Sequence, residues 1–204
     1  MLVLHQMHVS GNCYKVRLTA RQLGIPLALK DYPLHGGSTR EPAFLKLNPN
    51  GRVPLLEFED GRTLAESDAI ISYLADGTAL MPESRWDRAQ ALQWMFFEQY
   101  SHEPYIAVAR FWLGYAPKDQ LEPKQHLVPE WHAKGNAALG VMETHLEAHD
   151  WFAGNRYSIA DIALYAYTHC AAEGGFELSS YPAVSRWLAR VAEQPEHVPL
   201  RERW

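Results

Sequence analysis

Cysteine is scarce in this chain: 204 residues contain two, Cys13 and Cys170. Two thiols cannot staple a disulfide framework, and no Cys/His spacing reads as a zinc site. None of the ten histidines falls in an H-E-x-x-H or C-x-x-C setting, so no metal is expected. Long apolar runs are also missing, and with them any expectation of a membrane span. Lys and Arg are scattered without a basic run and the formal net charge is −5, which argues against a nucleic-acid surface. The opening MLVLHQMHVS lacks a basic stretch followed by a long apolar core, so no secretory signal is expected and a cytoplasmic location is. What the chain does have is 47% hydrophobic and 21% charged residues, enough for a real core and for two compact domains.

The pattern along the chain divides it. Leu2–His5 reads as a short buried strand, and the spacing of Val16, Leu18, Ala20 and Leu23 predicts a helix from Asn12 that stops at Gly24, with Pro26 beyond. Leu27–Tyr32 follows as a second strand, so the chain opens β-α-β with the two strands parallel. After a Gly-containing loop at 35–40 and a helical turn near 42–47, Val53–Phe58 and Arg62–Leu64 flank an Asp60-Gly61 hairpin signal. A helix from Glu66 to Asp76 closes a small α/β sandwich. Beyond Pro82 the periodicity is helical: 84–113 broken at Pro104, then 131–149, 159–173 and 183–193, with no convincing strand. The expected organisation is an α/β domain over 1–76, a linker over 77–84 and an all-α domain over 85–204.

Two stretches carry possible chemistry. Val53-Pro54 opens a strand, where a proline that cannot donate to a sheet belongs. Base rates favour a trans bond; a cis bond is the alternative, and it turns the Val53 N–H and C=O outward toward an extended ligand. The acid-rich helix start Glu66-Ser67-Asp68 reads either as helix capping or as an anion site at a helix N-terminus.

With these residues in view, the chain resembles the glutathione transferase superfamily, in particular bacterial theta-, phi- and zeta-like members. The resemblance spans essentially the whole chain and rests on NPNGRVPLLEFEDGRTLAESDAIISYLA, on SGNCYKVRL at Ser10–Leu18 and on SIADIALYAY at Ser158–Tyr167. It implies a thioredoxin-like N-terminal domain joined to an α-helical bundle. It also implies glutathione as co-substrate without a metal, a small electrophile as second substrate, a role in detoxification and a homodimer.

The resemblance assigns residues as well. Ser67 and the N–H groups opening its helix take the γ-glutamyl carboxylate, Glu66 the amine, and Val53, beside Pro54, the cysteinyl backbone; Asp68 stays undecided. Arg52, or Lys46, is the cation for the glycyl carboxylate, since Thr39 stands near the place where phi-like members carry a histidine. Ser10 aligns with the serine that stabilises the thiolate, with Asn12 and Cys13 as alternative sulfur partners. Tyr105, Phe111 and Trp112, with Tyr115, are candidates for the electrophile side, which the family places in the cleft between its domains, and Arg110 could meet an anionic substrate. Ser158-x-x-Asp161 is read as a capping box with a folding role alone. Two rival functions remain: glutathione-dependent disulfide or peroxide reduction, and a non-catalytic binding module of the same fold.

Overall fold

The computed structural model describes residues 1–202, which divide into two compact units. The first holds residues 1–81 and the described residues from Gln194 onward; the second is Pro82–Glu193. The division differs from the sequence expectation at the C-terminal end, where the described residues from Gln194 onward belong with the α/β unit and not with the helices.

In the first unit, β1 (Leu2–Gln6), α1 (Gly11–Gln22) and β2 (Leu27–Asp31) form the expected crossover, with Leu2 opposite Leu27 and Gln6 opposite Asp31 in a parallel pair. After the short α2 (Pro42–Leu45), β3 (Leu55–Glu57) and β4 (Thr63–Ala65) form the hairpin. Its turn closes through the Phe58 N–H on the Arg62 carbonyl at 2.9 Å, with Gly61 at φ 82°. Strand order is β2-β1-β3-β4, and β3 runs antiparallel to both its neighbours. This is the mixed four-stranded sheet of a thioredoxin-like domain. Helix α3 (Ser67–Ala75) packs against α1, and Leu4, Val16, Leu18, Leu55, Leu56, Ile70 and Ile71 fill the core at 1% exposure or less. Burial of each such side chain contributes about 1.5–3 kcal/mol.

The second unit is helical: α4 (Arg85–Phe97), α5 (Glu103–Gly114), the short α6 (Lys118–Leu121), α7 (Val128–Leu146), α8 (Ile159–Thr168) and α9 (Pro182–Ala192). The break expected at Pro104 appears just before it, as a π-helical turn over Glu98–His102. A proline inside a helix removes a donor and crowds the carbonyl four residues back, and a widened turn relieves both. Every residue of α8 is buried, and its start is the capping box expected from the sequence. The Ser158 N–H donates to Asp161 at 2.9 Å, the Ser158 hydroxyl accepts from the Ala160 N–H at 3.3 Å, and Asp161 also accepts from the Phe152 N–H and the Trp187 indole. Burial pushes the Asp161 carboxyl up to about 7 against these donors.

Candidate functional site

Two helix starts of the first unit bring the candidate residues together. Ser10 caps α1: its backbone is extended, its N–H donates to the Met7 carbonyl at 3.0 Å, and its hydroxyl accepts from the Cys13 N–H at 3.3 Å. Asn12 lies in the first turn of the same helix, half-buried.

Across from it, α3 begins in an unusual way. Glu66 is the capping residue, but its side chain makes no capping bond, and its backbone sits at φ 67°, a strained region for a residue with a Cβ. Ser67 is the first helical residue and does not cap the helix. Its hydroxyl donates to Asn12 Oδ1 at 3.3 Å and accepts from Lys15 Nζ at 3.4 Å. Lys15 is fully buried and pairs with Asp68 Oδ1 at 3.0 Å, while Asp68 Oδ2 is buried with no hydrogen-bond partner. Asn12, Lys15, Ser67 and Asp68 therefore form one network joining the N-termini of α1 and α3. With no side-chain cap, the first N–H groups of α3 stay available as donors beside a favourable helix dipole.

The loop before β3 supplies an edge. The Val53-Pro54 bond is cis. Neither backbone group of Val53 is held in a hydrogen bond among the described residues, and Arg52 beside it is exposed. The loop is shaped by Gly51 at φ 63°, where a Cβ would come within 2.7 Å of Arg40 and 2.9 Å of the Thr39 carbonyl. Thr39 is buried and Lys46 exposed.

Cys13 is not suited to nucleophilic work. Its side chain is fully buried, its sulfur receives the Met7 N–H at 3.4 Å, and burial pushes the thiol up to about 11. It remains protonated at neutral pH.

In the helical unit, Tyr105, Phe111 and Trp112 are half-buried on α5. The Tyr105 ring lies under Lys134 Nζ at 5.1 Å and Trp112 under Lys124 Nζ at 4.9 Å, while Phe111 meets Trp112 edge to face. Arg110 is committed elsewhere: it donates to Glu173 at 2.9 Å and to the Tyr115 hydroxyl at 2.8 Å, and Tyr115 donates to Glu173 in turn. A buried cation already matched to a carboxylate is a poor receptor for an anionic substrate.

The residue that sequence reasoning passed over is Lys15, treated only as part of a motif. A lysine inside the apolar face of α1 was the available signal; its partners, 52 and 53 residues away, were not. Among the described residues no group of three His, Cys, Asp or Glu is placed to hold a metal ion, and no helix is long and apolar enough to cross a membrane.

Comparison with known proteins gives matches over nearly the whole chain. Residues 9–76 match the family model described as glutathione S-transferase, N-terminal domain, and residues 93–195 the one described as glutathione S-transferase, C-terminal domain. The chain is 48% identical to a glutathione S-transferase from Pseudomonas fluorescens, covering 98% of this chain and 99% of that one at a TM-score of 0.94. It is 28% identical to a glutathione transferase from Burkholderia graminis crystallised with two glutathione molecules per subunit, covering 96% and 85% at a TM-score of 0.81. It is also 28% identical to the disulfide-bond oxidoreductase YfcG of Escherichia coli (strain K12), covering 90% of this chain and 87% of that protein.

Proposed function

The chain belongs to the glutathione S-transferase superfamily, and from that premise we propose that it binds glutathione in its first unit and transfers the thiolate to a small electrophile. The observation that carries the reading is the open start of α3. Ser67 leaves the helix uncapped and stands between Asn12 and Lys15, one hairpin along the chain from the backbone groups of Val53, unpaired among the described residues. In this reading the α3 N–H groups and Ser67 take the γ-glutamyl carboxylate, Glu66 the amine, Val53 the cysteinyl backbone, and Arg52 the glycyl carboxylate. Ser67 gives up its bond to Asn12 when it turns to the ligand.

An ordinary thiol titrates near 8.5, so little of glutathione is thiolate at neutral pH. A hydroxyl at the N-terminus of α1 stabilises the thiolate through a hydrogen bond and the helix dipole, and Ser10 occupies that place, with Asn12 beside it. The electrophile side falls to Tyr105, Phe111 and Trp112 of the helical unit, and the chemistry is attack by the positioned sulfur with loss of a leaving group or addition to a double bond. A second copy of the chain covers the exposed stripe formed by Leu92 and Phe96 of α4 and Tyr100 of the π-helical turn, giving a homodimer.

The relative named as a disulfide-bond oxidoreductase supports a second reading, glutathione-dependent disulfide reduction at the same site. Turnover of chlorodinitrobenzene against a hydroxyethyl disulfide separates the two. The transferase reading expects conjugation to dominate, and activity with the disulfide alone overturns it.

A further inference from the structure

The described residues after Gln194 lie along α1, and their polar anchors are deep. The Tyr14 hydroxyl, on a fully buried ring, donates to the Val198 carbonyl at 2.7 Å and lies 3.3 Å from His197 Nε2. Arg17, 1% exposed, donates through one nitrogen to Gln6 Oε1 and through the other to two carbonyls, His8 at 3.0 Å and Leu200 at 2.8 Å. At the surface Arg21 pairs with Glu196 and the His8 ring donates to the Arg201 carbonyl at 3.1 Å. His8 stands two residues before Ser10. One buried guanidinium thus joins the C-terminal segment to the turn that carries the candidate thiol-activating hydroxyl.

The direct acceptors of Arg17 are neutral, and Asp31 is reached only through Gln6, whose amide donates to it at 2.8 Å. A buried cation met by dipoles is costly to keep unless geometry uses it, and three acceptors in different directions suit the planar fork of an arginine. Side chains of a helix lean toward its N-terminus, so this charge sits toward the Ser10 end of α1.

We propose that Arg17 is a positioning residue for Ser10, and that residues 194–202 are part of the thiol-activating loop. This rests on the reading of Ser10 as the sulfur's donor. The titratable groups acting on Arg17 are Cys13 and Tyr14 on α1 and Asp31 on β2; His8 meets it through its backbone carbonyl, and His197 in the tail lies against the Tyr14 hydroxyl. Cys13, pushed up to about 11, stays neutral across the useful range, and burial holds His197 below its ordinary value.

The test follows the ultraviolet thiolate absorbance of bound glutathione against pH, beside steady-state kinetics, for the full-length chain and four variants. Arg17→Gln raises the pKa of the bound thiol by roughly one unit, the effect of removing a nearby unit charge from a partly screened interior and loosening the turn that aims Ser10. Its turnover near neutral pH falls about tenfold, and the KM for glutathione stays within about threefold because the Ser67 end is untouched. Arg17→Lys restores the thiol pKa by keeping the charge, but not full turnover, since an ammonium cannot span both carbonyls. A folded Arg17→Gln protein with the parent's thiol titration and turnover overturns the proposal. Should that variant not fold, Tyr14→Phe, which removes the hydroxyl's bonds to the Val198 carbonyl and His197, lowers turnover about two- to fivefold at constant KM; parent turnover overturns the proposal equally. Ser10→Ala is the control. If it leaves the thiol titration unchanged, the assignment of Ser10 has failed; if it shifts the titration while Arg17→Gln does not, the role of Arg17 alone has failed.

Discussion

Two helix starts in this molecule use the same residue types to opposite ends. At α8, Ser158 and Asp161 close on each other, and the acid gathers backbone and indole donors in a fully buried pocket. At α3, Ser67 and Asp68 point away from their own helix: Ser67 toward Asn12 and Lys15, Asp68 toward Lys15 with its second oxygen unpartnered. Serine and aspartate near a helix N-terminus therefore carry no function by themselves. At α8 the closed set of hydrogen bonds is a folding device, whereas at α3 the side chains are spent on α1 and leave the first backbone N–H groups without a side-chain cap, the arrangement on which the proposed anion site rests.

The comparison breaks first at Ser10, the donor expected to meet the sulfur. Ser10→Ala lowers turnover by roughly 100-fold, the loss typical of a donor aimed at developing negative charge, and loss of its cap on α1 lowers the melting temperature by a few degrees at most; single-turnover kinetics and a thermal scan read both. Next comes the open start. Ser67→Ala raises the KM for glutathione at least about tenfold, as removal of a hydrogen bond to a charged group does, and leaves folding nearly intact. The closed start behaves in reverse. Ser158→Ala lowers stability by about 1 kcal/mol, a fall of a few degrees in melting temperature, and leaves KM and turnover at parental values. A Ser158→Ala protein that melts like the parent but turns over poorly contradicts the division.

The smallest effect is a slope. Burial holds Asp161 at about 7, above its ordinary 3.8, so the folded chain keeps a proton there that the unfolded chain has released. That contribution to stability is full below about pH 4, declines as pH rises toward about 7, and is level beyond. Denaturant melts of Asp161→Asn against the parent over that window expose it: the variant lacks this part of the pH dependence.

Much of this was legible from local chemistry. Asp60-Gly61 announced the hairpin, Gly24 and Pro26 the end of α1, and S-x-x-D the capping box of α8, because each signal acts within a few residues. The superfamily, and with it the two-domain architecture, followed from motifs of the same short range. Three features were hidden. Lys15 looked like an ordinary helical lysine because Ser67 and Asp68 approach it only after the sheet forms. The segment after Gln194 has prolines at 195 and 199 and no periodicity, and its anchors Tyr14–Val198 and Arg17–Leu200 are 184 and 183 residues apart. The helix break fell at a wide turn ahead of Pro104, because proline disturbs the residues that precede it. The positions proposed for glutathione were visible as a motif, but the sequence left capping open for Ser67, and the structure turns that hydroxyl away from its helix.

The account stands most directly on calorimetric titration of glutathione into the full-length protein and into Ser67→Ala. Saturable binding at or below millimolar concentration is expected for the parent, weakened at least about tenfold in the variant. Absence of heat at millimolar glutathione, or equal affinity in the two proteins, would contradict the claim that the open start of α3 is the anchor for the ligand's carboxylate.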